Sequence, residues 1–377
     1  MIMKRSIFVF AAFVTTSQAT SLHDVLRQGS YEGSIRLGYE HQDGKNSTAV
    51  GGKLQYQTAE YKGFDARVAF YTVQGLGNKE NFAIPFFDAN EKSYTLLGEL
   101  YLEKNLQNTT ITLGRQILDT PFVNSDDVGM IPNIFEAYTL LNTDVKNTTV
   151  MFSHIVKWAG VDAEDPASFS SLNPGNGLQT VGLMYEGMKN MHASLWYYYA
   201  KDLAKVTYLE TKYENRHPKG SFSFAMQYAL EDFHNDEKAN VYGFRTDIGW
   251  DKNDILLSLA YNKTDSDGVG ADNLWGGGPF FAAAEHLTPA EAGINGETFL
   301  LSCALNSAKF GMDGVNFMLS YFHMRGDNQI EADEIDFVVS YEADEMLTYD
   351  LIYSDVNNKK EGWESFENLR AYVNYHF

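Results

Sequence analysis

From Glu367 to the terminal Phe377, apolar and polar side chains alternate almost without error. Leu369, Ala371, Val373, Tyr375 and Phe377 share one parity, and Asn368, Arg370, Tyr372, Asn374 and His376 share the other. Successive side chains of a strand point to opposite faces, so this segment has one apolar face and one polar face. About ten residues of such alternation make one stave of a membrane β-barrel, with lipid on one side and an aqueous lumen on the other. The constraint then spreads to the whole chain. In hydrocarbon every backbone N–H and C=O must be paired, so one such strand demands a closed ring of them.

The amino terminus is consistent with export. Lys4 and Arg5 form a charged start, residues 7–14 an apolar core, and Ser17-Gln18-Ala19 a small-residue cleavage site, which are the three parts of a secretory signal. The expected division is a cleaved signal over 1–19, a short periplasmic segment over 20–32 and a barrel over 33–377. The early apolar run is too short to cross a bilayer as a helix, which takes about 20 residues, and no later run is longer. Aromatic residues make up 14% of the chain, enough to furnish two interfacial girdles. The formal charge of −21 excludes nucleic acid as a natural partner. Cys303 is the one cysteine, so no internal disulfide forms; its phase with Phe299, Leu301 and Leu305 puts it on the lipid face.

Alternating runs recur near 33–41, 49–58, 63–72, 94–104, 109–116, 135–142, 148–158, 178–186 and 191–199. They continue near 203–213, 221–230, 241–250, 255–263, 297–305, 315–324, 334–341, 346–355 and 366–377. The total is eighteen, an even number as expected when both ends lie in the periplasm. Short turns at 60–63, 105–108, 143–147, 187–190, 251–254 and 342–344 alternate with longer connections at 73–93, 117–134, 159–177, 231–240, 264–296 and 356–365. That asymmetry sets short turns on the periplasmic side and long loops outside. The stretch 264–296, with Trp275-Gly276-Gly277-Gly278-Pro279, reads as an irregular surface excursion. Its Asp265-Ser266-Asp267-Gly268 with Asp272 lacks EF-hand spacing and reads as solvated loop rather than a Ca²⁺ site. Closure pairs the last run with 33–41, and residues 21–27 read as a short capped helix ahead of it. The fold expected is an all-β transmembrane antiparallel barrel of about eighteen strands, narrowed by a loop folded into its lumen.

A barrel of that size encloses water, so lumen parity matters. Arg36 and Glu40 oppose the lipid-facing Ile35, Leu37 and Tyr39; Lys53, Gln55 and Gln57 oppose Gly52, Leu54 and Tyr56; Asp65, Arg67 and Tyr71 oppose Phe64, Ala66, Val68 and Phe70. The closing run adds inward Arg370, so Arg370, Arg36, Lys53 and Arg67 form a basic strip on one wall, alongside Tyr71. The bland alternative is that these cations merely neutralise Glu40 and Asp65. After the fifth run the chain reads Gly114-Arg115-Gln116, then Asp119-Thr120-Pro121 and Asn124-Ser125-Asp126-Asp127, then Met130-Ile131-Pro132-Asn133. Two prolines and polar turn residues make this a loop. Arg115 falls on lipid parity, which implies that the strand ends or bulges beside Gly114 and turns Arg115 toward the constriction. Asp119, Asp126 and Asp127 would then face the basic strip across a narrow opening.

These same segments, with Gly51-Gly52-Lys53-Leu54, Tyr61-Lys62-Gly63-Phe64 and Leu97-Gly98-Glu99, resemble the OprD-type substrate-selective porins of Gram-negative outer membranes. The resemblance covers about the first third of the chain after the signal. It implies an eighteen-stranded channel with its third extracellular loop folded inward over 117–133, a basic ladder on the wall and an acidic pocket opposite. It further implies passive, charge-selective diffusion of small hydrophilic solutes such as basic amino acids, peptides or organic acids. The sequence departs from the family at Gly129, where a basic residue often precedes the Met of the Met-x-Pro-Asn segment. The carboxyl-terminal Phe377 likewise resembles the signal read by the barrel assembly machinery.

Two other classes predict different features. A hydrolase needs a nucleophile beside a His and an orienting group; His154 lies on lipid parity ahead of Trp158, and His323 and His376 show no partner at useful spacing. A structural or adhesive barrel predicts a blocked lumen. No cofactor motif occurs. The expected partners are outer-membrane lipid and lipopolysaccharide around the wall, the assembly machinery at Phe377 and small solutes in the lumen, and the pattern suits a monomer or a trimer.

Overall fold

The computed structural model describes residues 21–377 except 78–85, 235–236, 252–253 and 267–268. The expected signal over 1–19 lies outside the described residues. Strands β1 (Ser30–Gln42), β2 (Lys45–Gln57), β3 (Phe64–Gly75), β4 (Tyr94–Leu106), β5 (Thr109–Gln116), β6 (Ile134–Asn142) and β7 (Thr148–Ala159) come first. After the two-residue β8 (Ser170–Ser171) follow β9 (Leu178–Tyr185), β10 (Met191–Ala200), β11 (Ala204–His217), β12 (Gly220–Phe233), β13 (Lys238–Trp250) and β14 (Ile255–Ser266). The last are β15 (Glu297–Asn306), β16 (Val315–Arg325), β17 (Glu331–Glu342), β18 (Leu347–Asn358) and β19 (Phe366–His376). Each strand pairs antiparallel with its neighbour, and β8 is a ribbon on β7, which also pairs directly with β9. The wall is therefore an eighteen-stranded ring, as the alternation predicts.

The ring closes between its two ends. Ser34 lies opposite His376 and Gln42 opposite Asn368, and Gly33 and Phe377 exchange both backbone hydrogen bonds at 2.9 Å. Parity follows the sequence: Ile35 and Leu37 are exposed on the outer face while Glu40 is buried inside. Cys303 is exposed between Leu257 and Leu319 on the outer face. The short turn after β2 works because Lys62 (φ 53°) and Gly63 (φ 78°) both adopt left-handed backbone, the requirement of a two-residue hairpin turn that follows strand twist. Helix α1 (Leu22–Arg27) starts at Ser21, whose Oγ accepts from Asp24 N. It rests on this turn through Val25 against Ala59, and Tyr56 Oη donates to Leu26 O at 2.6 Å.

The interior is not an empty tube. Phe122, Trp196, Tyr198, Tyr208, Trp275 and Phe280 form one buried cluster that joins two loops to the β10–β11 wall. A second cluster of Phe86, Phe87, Met130, Ile131 and Tyr372 lies on the opposite side.

The seam can be tested at its last residue. A Cβ on Gly33 would run into the Phe377 ring, so the ring covers the glycine and shields the final hydrogen-bond pair. Phe377→Ala is expected to lower the yield of heat-modifiable, folded barrel on refolding by severalfold, and deletion of Phe377 to lower it further. Unchanged yields in both variants would remove the terminal ring from the closure argument.

Candidate pore constriction

Residues 117–133 leave β5, cross the lumen and return to β6. A tight turn, with Thr120 N donating to Val123 O at 2.7 Å, pushes Phe122 edge-on among Tyr198, Tyr208 and Phe280 at 5.6, 5.9 and 6.0 Å. Asp119 Oδ1 accepts from Ser125 N at 3.1 Å and Ser125 Oγ at 2.6 Å, which folds the loop back on itself. The chain then reaches the far wall. Asp127 takes Arg36 with both carboxylate oxygens, at 2.7 and 3.0 Å, while Arg36 also donates to Gly129 O at 2.6 Å and Asn374 Oδ1 at 2.7 Å. Tyr372 Oη donates to Val128 O at 2.9 Å. Met130 needs two missing side chains below it: a Cβ on Gly38 or Gly51 would stand 2.6 or 2.9 Å from its thioether atoms. The loop is anchored at both walls.

The four wall cations have four different fates. Arg36 is clamped by Asp127, with its guanidinium 5.4 Å from the centre of the Tyr372 ring. Arg67 lies 3.4 Å from Glu99, donates to Gln57 at 2.7 Å and stacks 5.3 Å from Tyr101. Tyr71 donates to the other Glu99 oxygen at 2.8 Å. Arg370 is only 1% exposed and pairs with Glu285 at 2.8 Å, so it lies under a loop rather than on the open wall. Lys53 Nζ meets Gln55 Oε1 at 3.1 Å and has no acid within ion-pair distance among the described residues. The expected acid-against-base arrangement across open space is therefore corrected. Asp127 touches its base, Asp119 turns back into the loop, and Asp126 faces Gly277.

Arg115 also departs from expectation. The strand does not end before it: β5 continues to Gln116, with Gly114 at φ 128°. Arg115 stands opposite Leu100 and Glu136 on the outer face. The irregularities fall on neighbouring strands, between Ala69 and Phe70 and between Glu136 and Ala137. His323 likewise has a partner that spacing did not reveal, Asp333 at 2.8 Å on the outer face. His154 stacks on the exposed Tyr138, a girdle position.

Sequence reasoning missed the acids of β4. Glu99 and Glu103 lie opposite Ala69 and Asp65, inside the lumen with Arg67; their shared parity with Tyr101 was the available signal. It also missed the inward course of 269–296, whose glycines and alanines suggested surface. Trp275 instead pairs with Val123 and is 5% exposed. Ala282 N donates to Asn262 at 2.8 Å, and His286 N and Leu287 N donate to the buried Glu334 at 2.9 and 2.8 Å. The segment ends in helix α2 (Pro289–Ala292), closed by a capping box between Thr288 and Glu291. Asp267 of the suggested Ca²⁺ cluster lies outside the described residues, and Asp265 and Asp272 belong to no metal-binding group of three among those described.

Three inward loops meet at one carboxyl. Asp162 accepts from Asn133 Nδ2 at 2.6 Å, and Gly277 N–H and Asp126 also bond to it. Burial raises its affinity for a proton above the ordinary aspartate range, so this contact is favoured in acid and weakens as pH rises. His286 behaves in the opposite sense. Burial, aided by the nearby Arg370, pushes its pKa down to about 3, and its Nε2 is buried without a hydrogen-bond partner among the described residues.

Both loop anchors are open to measurement. Asp127→Asn and Arg36→Gln are each expected to raise single-channel conductance by freeing the loop from β1. Their coupling in a double-mutant cycle of thermal stability should be about 1 kcal/mol for this partly exposed pair; additive effects would show that the pair does not anchor the loop. Released His286 takes up a proton below its ordinary pKa of about 6.5, whereas docked His286 does so only near 3. The contribution of His286 to docking of 279–288 is therefore fully present above about pH 6.5 and lost, on the order of 1 kcal/mol per unit, as pH falls toward 3. Limited proteolysis at pH 7 and pH 4.5 should show this loop cut faster in acid, with the difference reduced in His286→Gln.

Comparison with known proteins agrees with the geometry. Residues 74–372 match the family described as outer membrane porin, OprD family. No curated protein matches the chain significantly. Among solved structures, Pseudomonas aeruginosa OpdK with vanillate superposes with a TM-score of 0.82 at 12% identity, covering 94% of this chain and 99% of that one. Acinetobacter baumannii OccAB2 gives 0.79 at 14% identity over 94% and 99%. Pseudomonas aeruginosa OccD3 gives 0.76 at 14% identity over 96% and 94%. With a closed eighteen-stranded wall, an inward loop pinned to β1 and a family match over most of its length, this chain belongs to the OprD family of outer membrane porins.

Proposed function

We propose that this porin passes small hydrophilic solutes by passive diffusion with a preference for cations. The observation that carries the reading is the cancellation of the basic wall. Arg36 is neutralised by Asp127 and Arg370 by Glu285, while Arg67 and Lys53 share their region with Glu32, Asp65, Glu99 and Glu103. A permeant near this wall meets more acid than base. Unit charges about 10 Å apart interact by roughly 1.7 kcal/mol at an effective dielectric near 20, and screening confines the effect to about 8 Å at physiological salt. A few unpaired acids close to the path are enough to bias passage. Pore residues in this reading are Arg36, Lys53, Arg67, Tyr71 and Asp127 at the opening, with Asp119, Asp126 and Arg370 holding the loops that shape it.

A second reading concerns carboxylates. Lys53 has spare donors, and the similar OpdK barrel was solved with vanillate, a carboxylate. In this reading Lys53 receives an organic acid while the surrounding acids enforce selectivity.

Residues 1–19 direct export and are removed, 20–29 stay at the periplasmic mouth where α1 rests on the first turn, and the barrel runs from Ser30, where β1 begins three residues ahead of the expected start, to 377. Phe377 presents the closing strand to the assembly machinery, and the wall contacts lipopolysaccharide.

Planar-bilayer recording of the refolded mature protein under a KCl gradient separates these readings. A cation-favouring reversal potential is expected, with Lys53→Gln strengthening it and Glu99→Gln paired with Glu103→Gln moving it toward zero. Anion preference would give the wall back to Lys53 and the carboxylate reading. A barrel that folds without conducting would overturn both in favour of a structural role.

A further inference from the structure

The outer face changes from apolar to charged at one level on β5–β7. Leu113 gives way to Arg115 along β5, Tyr138 to Glu136 along β6, and Lys157 of β7 stands opposite Glu136. Leu100, Leu113 and Tyr138 are 51%, 43% and 55% exposed, which marks lipid below this row. The row therefore sits at the outer membrane interface, on the side of the long loops. At this level the wall carries a groove of about 460 Å³ lined by Leu97, Leu100, Leu113, Arg115, Glu136 and Tyr138. The shortness of β5 and the irregularity between Ala69 and Phe70, which turns Gly98 inward against Tyr71, leave room for it.

Arg115 is built into the head of this groove. Its Nε lies 3.3 Å from Glu136, its Nη1 donates to Leu97 O at 2.9 Å, and its guanidinium lies 4.2 Å from the centre of the Phe169 ring. The ribbon β8 brings Phe169 there, because Ser171 pairs with Lys157 on the same face. The Nη2 donors of Arg115 have no acceptor among the described residues, and neither does Lys157 Nζ. A cation on the lipid face is destabilising at the midplane and tolerated near the interface. Two cations flanking one acid leave a net positive charge and unspent donors above an apolar channel.

We propose that this groove binds an outer-leaflet lipid bearing a phosphorylated sugar head group, with phosphate on Arg115 and Lys157 and an acyl chain along Leu100 and Leu113. The planar guanidinium fork suits phosphate oxygens, and the apolar floor suits hydrocarbon. A soluble phosphate gains only the first contact, and an acidic peptide would leave the floor unmatched. The site is separate from the lumen and independent of which solute the pore carries.

Native mass spectrometry of the mature barrel in detergent, titrated with bis-phosphorylated lipid A and with its dephosphorylated form, tests this. The wild-type barrel is expected to retain one lipid A at low ratio and to retain the dephosphorylated form at least about fivefold less. Lys157→Gln and Arg115→Gln should each reduce lipid A retention by a similar factor. Lys263→Gln, which alters an outward cation paired with Glu297 on another part of the rim, should not. Lys157 holds no structural partner among the described residues, and the dephosphorylated arm uses the unaltered barrel, so the result does not hinge on whether Arg115→Gln folds. Equal retention of the two lipids, or equal loss in Lys263→Gln, would overturn the site and leave only general adhesion to the rim. Inorganic phosphate that displaces lipid A at millimolar concentration would also overturn it, by showing that the acyl chain adds nothing.

Discussion

The backbone of a strand in hydrocarbon has no water to fall back on, and everything else in this molecule depends on how that demand is met. An open sheet of these strands would leave two edges of unpaired N–H and C=O groups, each costing several kcal/mol. Pairing β1 with β19 from Gln42–Asn368 down to Gly33–Phe377 removes both edges. Closure also fixes parity for the whole ring, because a shift of one residue would turn Arg36 and Glu40 into lipid and Ile35 and Leu37 into the lumen. The alternation at the end of the chain is thus tied to the alternation at its start.

Closing so many strands makes an interior wider than side chains alone can fill. This chain fills much of it with its own loops. Phe122 from one loop and Trp275 and Phe280 from another pack with Tyr198 and Tyr208 of the wall, an apolar core inside a polar tube. Loop backbone also solves a problem for the wall acids. Glu334 is fully buried, and the N–H groups of His286 and Leu287 supply its partners; Glu231 is buried and takes Asp272 N–H at 2.9 Å. A buried carboxylate is stable only when hydrogen bonded, so the acids and the loops hold each other in place.

Periodic features are legible in the sequence and long-range pairings are not. The eighteen staves, the seam, the inward parity of Arg36, Lys53 and Arg67, the lipid-facing Cys303 and the helix over 22–27 all rest on spacing of two or on local capping. Outward parity at Arg115 suggests the end of a strand, yet a glycine at φ 128° lets the strand continue through it. The burial of Arg370 depends on Glu285, which carries no periodic signal and arrives from a loop with the composition of a surface excursion. Glu99 and Glu103 are readable by parity. Their weight emerges only when register sets them beside Asp65 and Arg67.

Register also explains why a strip of like charges on a barrel wall is a poor guide to the field a solute meets. A paired guanidinium and carboxylate present a dipole, whose reach is shorter than that of either charge, and salt screens what remains beyond about 8 Å. The Arg36–Asp127 and Arg370–Glu285 pairs therefore act mainly on the protein, fixing where two loops stand. In the cation-selective reading proposed above, what acts on the solute is what that pairing leaves over: Lys53, and Glu32, Asp65 and Glu103 around Arg67. Selectivity in such a pore is set in two steps, with loop anchoring deciding which charges are spent and the unspent ones deciding what passes. Substitutions in the first group should change width and charge together, because breaking a pair both frees a loop and exposes a charge. Substitutions in the second group should change charge alone. The two classes are distinct in a sequence only once the partners across the lumen are known.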